Sequence, residues 1–171
     1  MTNPAPLDLS LSAVSTVNLI NAFINSTIDV LKQMANLDQI TRKKMTIVDQ
    51  PSLQGDLASI IGISGLLTGN IAISLPRPLA ELIISRMLGM APEEVNATTL
   101  SDGVGELVNL VAGKAKSNLI DSEGKALFSL SLPTVVSGQD HMINQKSGTK
   151  CMLIVFDVSG KDLMLQLTFS K

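Results

Sequence analysis

The stretch Leu100-Ser-Asp-Gly-Val-Gly-Glu-Leu-Val-Asn-Leu-Val-Ala-Gly-Lys-Ala-Lys-Ser-Asn-Leu-Ile120 carries apolar residues at helical spacing. A step of about 100° per residue puts Val104, Leu107, Val108, Val111, Ala115 and Leu119 in one sector, and Asp102, Glu106, Asn109, Gly113 and Lys116 in the opposite one. The spacing predicts an amphipathic helix that shows its polar stripe outward. Glu106 and Asn109 stand three residues apart, so both side chains reach the same visiting group. Gly105 and Gly113 flank them, and each glycine costs a helix about 0.5 to 1 kcal/mol relative to alanine. Their presence beside the stripe points to close approach by another backbone.

Outward from this helix the chain falls into two similar halves. In the first, Val17, Ile20, Ile24, Ile28, Leu31 and Met34 recur at helical spacing between Ala13 and Leu37, opposite Asn18, Asn21, Asn25, Asp29, Lys32 and Asn36. After a short basic loop, Met45 to Val48, Asp56 to Ser64 and Asn70 to Leu75 read as strands, the last two as a hairpin. Pro76 and Pro78 then open a helix that runs from Leu79 to Leu88 and stops at Gly89. In the second half the Glu106 helix precedes strands at Ala126 to Leu132, Lys150 to Val158 and Leu163 to Phe169, the last pair joined by Ser159-Gly160-Lys161-Asp162.

Long helix, strand and hairpin therefore occur twice, in pattern and not in sequence identity. The expected architecture is α+β: a pseudo-symmetric duplication of a long helix plus three antiparallel strands, with the two long helices packed on one face of the sheet. Residues 1–12, with two prolines, read as a flexible lead-in, and 13–171 as a single domain. The closing strand, Leu163-Met-Leu-Gln-Leu-Thr-Phe169, is apolar in both registers, so a homodimer formed by continuing the sheet through it is expected.

Composition excludes several classes of function. At 171 residues and 45% hydrophobic the chain can bury a substantial core. A net charge of -2 with scattered basic residues argues against nucleic acid. Aromatics make up 2%, all of them Phe, so no stacking platform for bases or sugars is on offer. No segment approaches the roughly 20 apolar residues that span a bilayer, and the N-terminus lacks a signal-peptide pattern, so a cytoplasmic protein without membrane contact is expected. Cys151 is the lone cysteine and lies in an apolar run, which reads as strand core and rules out a cysteine metal cage. His141, the lone histidine, reads as a surface loop residue. Gly65 to Gly69 lacks the Lys-Ser/Thr of a phosphate loop and reads as a hairpin turn.

Asp102-x-x-x-Glu106-x-x-Asn109-x-x-x-Gly113 resembles the signature of the CheC/CheX/FliY phosphatases of bacterial chemotaxis, and of the CheX branch most. Asn21-Ala-Phe-Ile24, Ile61-Gly-Ile-Ser-Gly65 and Pro133-Thr-Val-Val-Ser-Gly138 add to the likeness, which spans about residues 17 to 170. The resemblance implies a CheC-like fold and an enzyme that removes the phosphoryl group from a CheY-like receiver domain. It also implies roles. Asn109 inserts into the receiver and positions the attacking water, and Glu106 anchors the receiver's lysine beside the phosphoryl group. Mg²⁺ belongs to the receiver, and no cofactor or metal is expected in this chain.

These residue types suit that chemistry. Hydrolysis of an aspartyl phosphate needs a water aligned with the breaking bond, and a protein contributes chiefly position and charge. An amide offers an acceptor and two donors and does not titrate, so it orients water at any pH. A carboxylate pairs with a cation. Asp102 reads as a capping or dipole-complementing residue in a supporting role, with Gly105, Gly113 and Lys116 as further supporting, partner-facing positions. CheC-like members carry a second Glu-x-x-Asn on the first helix, whereas this chain has Asn18-Leu-Ile-Asn21, so one working site per chain is expected. Apart from the resemblance, a Glu and an Asn on a polar helix face are ordinary surface. The alternative is a noncatalytic adaptor of this fold in a signalling or flagellar complex, for which the intact Glu-Asn pair has no use.

Overall fold

The computed structural model describes residues 16–49, 52–144 and 151–170. The lead-in expected at 1–12, residues 13–15 of the expected first helix, and Lys150 lie outside these residues. Helix α1 (Thr16–Ala35) is followed by strands β1 (Ile40–Val48), β2 (Ser52–Gly65) and β3 (Thr68–Leu75) and by helix α2 (Arg77–Leu88). A 3-10 turn at Pro92–Glu94 leads to helix α3 (Ala97–Asn118) and strands β4 (Phe128–Leu130), β5 (Thr134–Asn144), β6 (Cys151–Val158) and β7 (Lys161–Ser170).

Local chemistry sets several of these limits. Gly89 sits in the left-handed region at φ 64°, and Met90 N–H donates to Ser85 O at 2.8 Å, closing α2 where its sequence pattern stops. Ser159 and Gly160 both have positive φ, 52° and 80°, the conformation a two-residue hairpin turn requires, and Asp157 Oδ1 accepts from Gly160 N–H. The glycines at 65 and 69 bracket the β2–β3 turn, as expected of a hairpin.

One antiparallel seven-stranded sheet runs through both halves in the order β1-β6-β7-β3-β2-β4, with β5 also paired to β2. Exchanging α1, β1, β2 and β3 with α3, β4–β5, β6 and β7 reproduces this order. The first strand of each half thus pairs with the second strand of the other, and the pseudo-twofold axis passes between β3 and β7. The duplication is interlocked, so neither half holds its own complete sheet.

The helices lie on one face. Phe23 of α1, Leu57 and Ile61 of β2, Ile71 and Ile73 of β3, Val104 and Val108 of α3, and Leu165 of β7 belong to one continuous buried cluster. Phe23 anchors α1, with its ring centroid 6.2 Å from that of Phe128 and 6.4 Å from that of Phe169. The opposite face is covered by the chain itself. Leu53, at the start of β2, packs with Ala58 and Ala72, and Gln166 Nε2 donates to Ser52 O at 2.7 Å. No helix among the described residues is long and apolar enough to cross a membrane.

The structure corrects four expectations. The closing strand β7 is interior, paired with β3 on one side and β6 on the other, so it cannot extend into a partner. It is apolar in both registers because both its faces are covered: Leu163, Leu165 and Leu167 face the helices, while Gln166 and Thr168 are buried on the far side. The basic segment before Met45 is strand, not loop. Thr41 to Lys44 belong to edge strand β1, where Lys43 is the bulged residue and pairs with Asp162 at 2.7 Å. Charges and a bulge on an edge oppose further strand addition.

The segment holding His141 is also strand, not loop. Its Cα pairs with that of Gly55 on β2, a nonlocal pairing that this polar stretch does not announce. Finally, the buried side of α1 is centred on Leu19, Phe23, Thr27, Val30 and Leu31, while Val17 and Met34 are exposed. The contacts of Phe23 with the sheet turn the helix by a fraction of a turn from the sector that aliphatic spacing picks out.

Candidate active site

Helix α3 begins three residues earlier than its apolar pattern. Asn96 caps it, its Oδ1 accepting from Thr99 N–H at 2.9 Å. Asp102 is therefore not the cap: it lies beyond the first turn, exposed on the stripe one turn before Glu106. The outward stripe is as expected. Glu106 is exposed, Asn109 half-buried, and Asn109 Nδ2 donates to Glu106 Oε2 at 3.3 Å.

The flanking positions divide. Gly105 is buried, and a methyl group on its Cα would stand 3.2 Å from Val135 Cγ2 and 3.7 Å from Pro133 Cγ. What approaches this glycine is side chain and not the backbone expected, and it belongs to the chain's own β4–β5 segment. Gly103 faces α2, where a methyl group would meet Ile84 Cγ2 at 2.5 Å. Gly113 has open space above it. Lys116 is half-buried in the last turn of α3. Its neighbour Lys114 holds α3 to α1 through Asp29 at 3.3 Å and Gln33 at 3.1 Å.

Behind the stripe the wall is the junction between β4 and β5, which sequence reasoning reached only through the resemblance of Pro133–Gly138. A proline between two apolar runs was the available signal. On α1, Asn18 and Asn21 are exposed and stand three residues apart, as Glu106 and Asn109 do on α3. Among the described residues no three His, Cys, Asp or Glu side chains converge as metal ligands would.

The helix with its outward pair, set on a duplicated sheet, has matches among known proteins. A family model described as chemotaxis phosphatase CheX matches residues 57–157, a span that includes Glu106 and Asn109. The chain belongs to the CheX family. It is 30% identical to the CheY-P phosphatase CheX of Thermotoga maritima over 151 residues, which covers 88% of this chain and 94% of that protein. The crystal structure of CheX from Vibrio vulnificus is similar at a TM-score of 0.76 and 31% identity, over 89% of this chain and 99% of the other. A chain of the CheX-CheY-BeF3-Mg²⁺ complex from Borrelia burgdorferi has a TM-score of 0.71 at 18% identity, over 90% of this chain and 98% of the other, a likeness of fold. The CheX fold is therefore the setting in which the Glu106–Asn109 pair is placed.

Proposed function

We propose that this CheX-family chain is a phosphatase acting on the aspartyl phosphate of a CheY-like receiver, through Glu106 and Asn109. The observation that carries the reading is the pair itself: a carboxylate and a carboxamide in contact on an outward helix stripe, clear of the core. The name of the Thermotoga maritima relative and the CheY in the Borrelia burgdorferi complex support the choice of substrate.

In this reading Glu106 pairs with the receiver's lysine beside the phosphoryl group and fixes how deep α3 docks. Asn109 enters next to the phosphorus. Its contact with Glu106 uses one amide hydrogen and leaves Oδ1 to accept a hydrogen bond from a water, holding that water's oxygen toward phosphorus. The new P–O bond forms as the bond to the aspartate oxygen breaks, giving inorganic phosphate and a free carboxylate, with the water's proton passing to the products. The metal in this reading comes with the receiver, whose Mg²⁺ balances the phosphoryl charge. Asp102, Gly113 and Lys116 line the surface the receiver covers.

Phosphate release from a phosphorylated CheY-type receiver, with and without this protein, tests the reading. Acceleration supports it; binding without acceleration supports the adaptor instead. Self-association is part of the proposal too, by a surface other than β7, and sedimentation velocity measures it.

A further inference from the structure

Resting on that reading, we infer that Leu132 is an apolar docking contact for the receiver. Leu130 pairs with Ile63 and Thr134 with Ile60, and Ser131 N–H donates to Gly62 O at 2.9 Å. Two residues, Leu132 and Pro133, therefore stand opposite the single Ile61. This is a β-bulge on the sheet edge, a device that re-aims a side chain. It turns Pro133 onto Gly105 and leaves Leu132 88% exposed.

An exposed leucine alone is ordinary surface. What distinguishes Leu132 is that the backbone around it is fixed. The Ser131 hydroxyl accepts from Gly62 N–H at 2.9 Å and donates to Leu132 O at 3.0 Å, and a side chain at position 62 would press on that hydroxyl at 3.2 Å. Pro133 has a restricted φ and is packed against α3. The bulge cannot fold its leucine inward without breaking these contacts.

Its place decides the occupant. Pro133 rests on Gly105, which lies within one turn of Asp102, Glu106 and Asn109. A receiver seated on the Glu106–Asn109 pair covers the bulge as well. From Ala126 to Gly138 no side chain is charged, so the rim on this side of the acidic stripe is neutral. The complement is a receiver with an uncharged apolar patch beside its phosphorylated aspartate.

The test compares wild type, Leu132→Ser and Leu132→Met for binding to CheY-type receivers of the source organism loaded with beryllofluoride and Mg²⁺, and for turnover of the phosphorylated receivers. Leu132→Ser is expected to melt as wild type does and to weaken binding on the order of tenfold, the cost of leaving one leucine unburied. KM should rise with kcat at saturation unchanged, and Leu132→Met should restore affinity. Equal binding by wild type and Leu132→Ser, or no binding by wild type, overturns the inference. So does a change confined to self-association. Binding that depends on Leu132 without turnover by wild type would keep the docking contact and remove the phosphatase reading.

Discussion

Asn109 lies 3.3 Å from Glu106 on the exposed face of α3, its amide nitrogen donating to a carboxylate oxygen. The geometry follows from helical spacing of three residues, which brings two side chains together without any further device. The contact orients the carboxamide before a partner arrives, with Oδ1 turned away from the shared bond. Pre-orientation of this kind lowers the entropy lost when a water is aligned for attack.

Glu106→Gln keeps the shape and removes the charge. It is expected to lower both the affinity for activated receiver and the rate of phosphate release, since a neutral amide does not replace a carboxylate against lysine. Titration of beryllofluoride-loaded receiver and steady-state kinetics separate the two effects. The melting temperature should stay within about 2 °C of wild type, because exposed sites contribute little to stability.

Asn21→Ala is expected to leave turnover unchanged. Asn21 is exposed on α1, but the residue three positions before it is Asn18 and not a carboxylate. A loss of rate comparable to that of Asn109→Ala would show a second working site on α1.

The glycines of α3 should respond in opposite directions to alanine. At Gly103 a methyl group meets the buried Ile84 side chain at 2.5 Å, and overpacking of this kind costs about 1 to 3 kcal/mol. At Gly113 the space is open, so alanine should stabilise the helix by about 0.5 to 1 kcal/mol. Urea denaturation of the two variants gives both signs. In the receiver complex Gly113→Ala should weaken binding, as the partner-facing reading of that position requires.

Burial pushes the Cys151 thiol up to about 11 from an ordinary value of 9.0, partly offset by the Thr168 hydroxyl. The folded state therefore holds this proton more tightly than the unfolded chain. The stabilisation it gives is complete below pH 9.0 and is lost as pH rises through about 11. Denaturation midpoints across that range should fall more steeply for wild type than for Cys151→Ala. At neutral pH the thiol should resist labelling in the native protein and react on unfolding.

Features set by a few consecutive residues were legible in the sequence. The polar stripe of α3, the Gly89 stop and the Ser159-Gly160 turn each follow from local spacing or backbone freedom. The order of helix, strand and hairpin in both halves was enough to indicate the duplication. Nonlocal features were hidden. That β1 crosses to β6, and β5 to β2, depends on partners at least 74 residues away. The polar Ser137 to Asn144 has no core pattern, since its strand identity comes from backbone pairing with β2. β7 looked like an extensible strand because the cover on its second face comes from elsewhere in the chain. In the site, the pair was readable from the helix alone, but the bulge behind it was not. Its signal is an offset between two registers on β2, and no single strand carries that.

The most direct test of the central claim is the rate of phosphate release from a phosphorylated CheY-type receiver of the source organism, measured with wild type, with Asn109→Ala and with receiver alone. A positioning group worth about 3 kcal/mol predicts acceleration by wild type and a roughly hundredfold loss in Asn109→Ala, with its fold and receiver binding retained. Equal rates for wild type and Asn109→Ala, or a wild-type rate no faster than receiver alone, would contradict the account.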